Sequence, residues 1–210
     1  MPNRILNFDE LDVIRRDTVI EILEAEIYSS LPDGKIDRKR CEDIIFDLLT
    51  MAYAFGVDKA GLELGIEAKP NERLQEDAIT APTAGETAFD RMNTHINAAE
   101  DAGLTVAAAT RLIEELATLI ETEAGRVTNT AIFDIAEDFQ RKNPNIITMK
   151  RWVGILDDRI RDTHLYLDGT EVPLDAYFYS YSGDKALYPH GFQTAQENVN
   201  CRCEIEVFTI

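Results

Sequence analysis

The chain has 210 residues, 45% of them hydrophobic, and its 21 Lys and Arg stand against 39 Asp and Glu for a net charge of -18. That length and apolar content suffice for a buried core and exclude a disordered chain. An acidic excess of this size repels a phosphate backbone over most of the surface, so strong direct nucleic-acid binding is not expected.

In chain order, Ile20, Leu23, Ile27 and Leu31 recur at three- and four-residue spacing and predict a first helix, stopped by Pro32-Asp33-Gly34. Asp37 is a natural N-cap for a second helix running through Ile44, Ile45, Leu48, Leu49, Ala52 and Tyr53 to Gly56. The two predict an antiparallel hairpin. Residues 67–86 are polar, hold Pro70, Pro82 and Gly85, and read as a linker. A third helix is expected over 86–103. A long fourth one starts at Thr105 and carries Leu112, Leu116, Leu119, Ile120, Val127, Ile135 and Phe139, with Gly125 as a place to bend or break it. Asn143-Pro144-Asn145 ends the helical regime, because proline cannot continue the hydrogen-bond ladder. Beyond it the pattern turns to strands: IITMKRWV is β-branched and alternating, LDGTEV holds an Asp-Gly turn, and CRCEIEVF alternates. Nine of the 17 aromatic residues also fall after residue 150. The fold class expected is α+β: an N-terminal helical region over 1–80, a segment with a long connecting helix over 81–145, and a small α+β domain with a short, mainly antiparallel sheet over 146–210.

The opening MPNRILNFDE lacks the basic start and apolar run of a signal peptide, and no stretch is long and apolar enough for a membrane span. Neither export nor a membrane is expected. Three cysteines, with Cys41 inside an apolar helical pattern, do not make a disulfide framework.

The run KRWVGILDDRIRDTHLYLDG, followed some thirty residues later by NVNCRC, resembles the signature of the phage Mu F-like minor head protein family. Trp152 takes the place of the family's strand-opening tryptophan. Asp157 or Asp158, with Arg159, Arg161 and His164, matches its Asp-x-Arg-x-Arg-x-x-His segment; Gly169 matches its glycine turn; Asn200, Cys201, Arg202 and Cys203 match its terminal Asn-Cys-Arg-Cys. Thr122 and Glu123 match the Thr-Glu pair of its upstream helix. The likeness covers about residues 105–208. It implies a minor structural protein of the phage head, found in host cytoplasm during assembly and then in the virion head. Its partners would be portal and capsid proteins, and its role head morphogenesis, with an effect on DNA packaging or ejection. It implies no enzyme. The chain stops seven residues after Cys203, so the toxin domain appended in some relatives is not expected.

Two cysteines one residue apart on a strand share a face, but with Cα atoms about 6.5–7 Å apart they sit at the limit of disulfide geometry. Two readings remain. The thiols pack as small apolar groups in line with Ile205 and Val207, or they face one metal ion with His164 or His190 completing the site, in which case zinc is the cofactor to expect. No other cofactor is indicated. An enzymatic alternative, an ADP-ribosyltransferase-like or other toxin-like effector, rests on an order of Arg159 or Arg161, then Ser180 and Ser182, then Glu204 and Glu206. Finally, YFYSYSGDKALYP is a tyrosine-rich loop with a turn at Gly183-Asp184, a candidate contact surface.

Overall fold

The computed structural model describes residues 16–83, 85–156 and 160–210. Helix α1 spans Arg16–Ser29, α2 Arg38–Leu64, α3 Glu72–Thr80, α4 Ala88–Asp101 and α5 Val106–Lys142. Strand β1 is Thr148–Val153, followed by the short helix α6 (Asp162–Leu165), β2 (Glu171–Pro173), β3 (Phe178–Tyr179), β4 (Lys185–Ala186), the short helix α7 (Ala195–Asn198) and β5 (Glu204–Thr209). The α+β class expected from the sequence is the one observed.

The helix starts follow local chemistry. Asp37 Oδ1 accepts from Arg40 N at 3.0 Å, and Thr105 Oγ1 from Ala108 N at 3.2 Å. Thr87 and Asp90 form a reciprocal capping box on α4. Four expectations are corrected. The second helix does not stop at Gly56 but runs on to Leu64 and ends at Gly65, which takes the left-handed conformation that glycine tolerates. The first two helices do not form a hairpin with each other; both pack chiefly on α5. The polar stretch 67–86 contains α3, whose Ala78 and Ile79 are buried. Finally, α5 passes through Gly125 unbroken, because the intrahelical ladder tolerates a lone glycine at a cost of about 1 kcal/mol.

Two apolar clusters result. The first is built from Val19, Leu23 and Ile27 of α1, the inner face of α2, Met92 and Ile96 of α4, and α5 from Ala109 to Ala131. The second joins Ile132, Phe133 and Ala136 of α5 to Trp152, Phe178, Phe192, Ile205 and Val207. Helix α5 therefore contributes to both. The sheet has order β2-β1-β5 with both pairings antiparallel, and Trp152 lies opposite Ile205. Strands β3 and β4 form a separate antiparallel hairpin.

Among the described residues, one edge of strand β5 has no strand partner, and helix side chains cover it. Asn129, fully buried in α5, donates from Nδ2 to Cys203 O (3.1 Å) and accepts at Oδ1 from Ile205 N (2.9 Å). Lys59 Nζ donates to Ile205 O at 3.1 Å, and Glu63 Oε2 accepts from Val207 N at 2.9 Å. Lys59 also pairs with Glu63 at 2.9 Å and Glu204 at 3.3 Å. Burial opposes its charge, but the two carboxylates outweigh burial and hold its pKa above the ordinary value.

The approach of α2 to α5 is set at Gly56, where a Cβ would stand 2.5 Å from Thr128 O and 2.8 Å from Ala131 Cβ. The Thr128 carbonyl is backbone and the Ala131 methyl has no rotamer to change, so neither can yield as a flexible side chain could. Gly56→Ala is therefore expected to destabilise the protein by about 1–3 kcal/mol despite alanine's better helix propensity, read as a lowered midpoint in urea unfolding.

Candidate functional site

The site forms where β1, α6, the turn after it and the segment leading into β5 converge on Trp152. Strand β1 alternates, so Thr148, Lys150 and Trp152 point inward. The Trp152 ring is fully buried and meets Phe178 edge-on at 5.2 Å, His164 edge-on at 5.6 Å and Phe192 at 5.7 Å. Phe192 in turn stacks on the His164 ring at 5.8 Å. The Asp-Gly turn locks onto the same strand: Gly169, with φ 74°, donates to Trp152 O, Trp152 N donates to Thr170 O (both 2.9 Å), and Asp168 Oδ1 accepts from Gly154 N at 2.8 Å.

Helix α6 sets His164 facing the segment that leads into β5. Its Nδ1 lies 3.5 Å from Cys201 Sγ and 3.5 Å from Cys203 Sγ. Its Nε2 faces Glu197 Oε2 at 3.2 Å, close but not aligned as a hydrogen bond. Glu197 is buried and also accepts from Thr163 Oγ1 (2.9 Å) and Ser182 Oγ (2.8 Å). Arg161 crosses the mouth of the site and donates to the carbonyls of Glu197 and Val199. Hydrogen bonding from Cys201, with further help from His164 and Trp152, holds the Cys203 thiol well below its ordinary pKa against the effect of burial. Burial, together with Cys203, pushes Cys201 well above its own. A small pocket beside them is bordered by Ile155, Ile160 and Arg161.

The family model described as "Phage Mu protein F like protein" matches residues 74–206, which include the whole of this site. The chain belongs to that family. It is also 38% identical over 85 residues to a protein named NAD(+)--arginine ADP-ribosyltransferase EFV from Enterococcus faecalis (strain ATCC 700802 / V583), a match covering 40% of this chain and 17% of that protein. No solved structure gives a significant match.

The Mu F-like motif residues largely meet in one place. Trp152, His164, Gly169, Cys201 and Cys203 belong to one cluster, and Asn200 and Arg202 border the same pocket. Asp157, Asp158 and Arg159 lie outside the described residues. Two expectations change. Cys201 and Cys203 precede β5 instead of lying in it, because Asn200 adopts the left-handed conformation (φ 55°) and turns the chain just before the strand. His190 does not join the cysteines. It sits on α5, where a Cβ at Gly125 would be 2.6 Å from its Nε2, and burial holds its pKa down to about 3, so its ring is neutral.

The Mu F-like motif gave no sign of Glu197, Asn129 or Lys59. Glu197 stands four residues before Cys201 in a polar stretch, and nothing in its neighbours' periodicity predicts that it is buried against a histidine. The upstream pair is partly structural too: Glu123 is 1% exposed and pairs with Arg91 at 2.5 Å and Arg126 at 2.7 Å. Burial acts against that carboxylate, but the two arginines outweigh it and keep its pKa low.

The serines and glutamates of the ADP-ribosyltransferase-like pattern have partners of their own. Ser180 and Ser182 hydrogen-bond to each other at 2.7 Å, and Ser182 goes to Glu197. Glu204 pairs with Lys59, and Glu206 with Arg151 at 3.0 Å.

Beneath the site, Lys150 is fully buried, donates to Leu174 O at 2.6 Å and lies 4.9 Å from the Phe133 ring centroid. Burial lowers its pKa to about 8. A lysine depressed in the fold carries its penalty wherever it is protonated, and that penalty is relieved as pH rises from about 8 towards the unfolded value near 10.5. Wild type should therefore gain about 2 kcal/mol relative to Lys150→Met between pH 7 and pH 10, after discounting for solvent screening. Urea midpoints of the two proteins measured across that range check this.

Proposed function

We propose that this Mu F-like protein is a minor head protein of a tailed phage or prophage, acting in head morphogenesis by binding the portal and capsid proteins. The observation that carries the reading is the family match over residues 74–206, which takes in α4, α5 and nearly all of the C-terminal sheet. Two features support a binding role. Of the motif residues, Trp152, His164, Cys201 and Cys203 are spent inside the fold, joining β1, α6 and the lead into β5. Outside it, Tyr166, Tyr179 and Tyr181 are 67%, 59% and 82% exposed, and Tyr166 and Tyr181 meet edge-on at 6.2 Å. Exposed, paired tyrosines offer large contact area at little entropic cost. The net charge of -18 directs this surface towards protein partners and away from a bare nucleic-acid backbone. No helix among the described residues is long and apolar enough to cross a membrane.

The test is co-expression with the portal protein encoded in the same phage or prophage, read by native mass spectrometry. A stable complex is expected, weakened at least tenfold in the Tyr166→Ala/Tyr181→Ala double variant. No complex at micromolar concentrations of folded protein would count against the reading.

The similarity to the Enterococcus faecalis protein raises a second reading, an NAD-dependent transferase. Against it stand the small share of that protein matched and the engagement of Glu204 and Glu206 with Lys59 and Arg151. We expect purified protein to transfer no label from NAD to arginine-containing acceptors above background. Labelling that disappears in Glu206→Gln would establish the transferase instead.

A further inference from the structure

The environment of His164 fits a ligand that the family name does not suggest. Its Nδ1 is equally close, at 3.5 Å, to two sulfurs, and the three donor atoms all lie within 4.8 Å of one another. In a tetrahedral zinc site, with Zn–S near 2.3 Å and Zn–N near 2.0 Å, the nitrogen-to-sulfur edge is about 3.5 Å. That edge occurs here twice at one nitrogen.

Other accounts of the cluster fit less well. A single ring nitrogen offers one proton or one lone pair, so it cannot hydrogen-bond both thiols in line. A nucleophilic cysteine with an imidazole base needs one sulfur on the ring and a path for substrate, whereas here two sulfurs share the nitrogen and the residues are 4% and 3% exposed. Both cysteines are free thiols.

We propose that His164 Nδ1, Cys201 Sγ and Cys203 Sγ bind one zinc-class divalent cation, the fourth position being filled by water from the pocket bordered by Ile155, Ile160 and Arg161. Thiolates with an imidazole select zinc over magnesium or calcium. On binding, each sulfur that still carries a proton releases it to solvent, two metal–sulfur bonds form, and the two thiolates neutralise the charge of the ion. No oxidation is involved. Glu197, 3.2 Å from the opposite ring nitrogen, stands where a ligating histidine keeps a carboxylate that fixes its tautomer and orientation. The ion would fasten α6 and the segment entering β5 together, so its role is structural and independent of which partner the protein binds. Cys41, buried in α2 within the first apolar cluster, takes no part.

The experiment uses the full chain, purified reduced and stripped of metal, then titrated with cobalt and with zinc. Expected are one zinc per chain by native mass, a cobalt spectrum with sulfur-to-metal charge transfer and tetrahedral d–d bands that zinc bleaches, and a higher thermal midpoint with metal bound. Glu197→Gln should weaken zinc binding about 10–100-fold, while Cys41→Ser should leave it unchanged. The cobalt spectrum of the unaltered protein needs no variant, so the proposal stays testable if the cysteine variants fold poorly. Absence of thiolate bands would overturn it, as would stoichiometric zinc binding that survives in the folded Cys201→Ser/Cys203→Ser double variant.

Discussion

The C-terminal half depends on how the open edge of β5 is closed. A strand with one unpaired edge exposes backbone groups that demand partners, and burying them without any would cost more than the strand contributes. Here the partners are side chains from two helices. Asn129 of α5 serves Cys203 O and Ile205 N as a neighbouring strand would, and Lys59 and Glu63 of α2 serve Ile205 O and Val207 N. Because these bonds are directional and mostly buried, they register the sheet against the helices. The close approach of α2 to α5 at Gly56 keeps the two helices near enough to share the task.

That closure also places the cysteines. Cys203 O is held by Asn129, so its side chain projects towards Trp152 and His164. Asn200 turns the chain and brings Cys201 to the same imidazole nitrogen. Glu197 then fills the far side of the ring while tying in Thr163 and Ser182. A chain of buried polar contacts thus runs from α2 and α5 through β5 to α6 and on to the β3–β4 hairpin, and each link would be costly to leave unpaired.

This arrangement divides the protein's labour. Trp152, His164, Cys201 and Cys203 of the Mu F-like motif face inward and build a rigid unit, while Tyr166 at the end of α6 and the tyrosines of the hairpin face outward from it. A rigid scaffold that presents an aromatic surface suits a protein proposed to work by assembling with others, since little ordering entropy is then lost on contact.

The sequence by itself determined the elements whose signals are local. Asp37 and Thr105 announce helix starts because their side chains accept from amides two or three residues on, Pro144 ends α5, and alternation marks β1 and β5. It also brought Trp152, His164, Cys201 and Cys203 forward as a group, because their order along the chain is a pattern in itself. Only the tertiary structure decided what depends on contacts between distant segments. Gly56 lies inside a helix because α5 needs the room, and His190 is set apart from the cysteines because it packs on Gly125. Asn129, Lys59 and Glu197 are buried, and Glu63 half-buried, only because the backbone or ring atoms they serve arrive from elsewhere. Periodicity reports which face of an element is apolar; it carries no information about which polar side chain will meet an unpaired amide, carbonyl or imidazole once the elements pack.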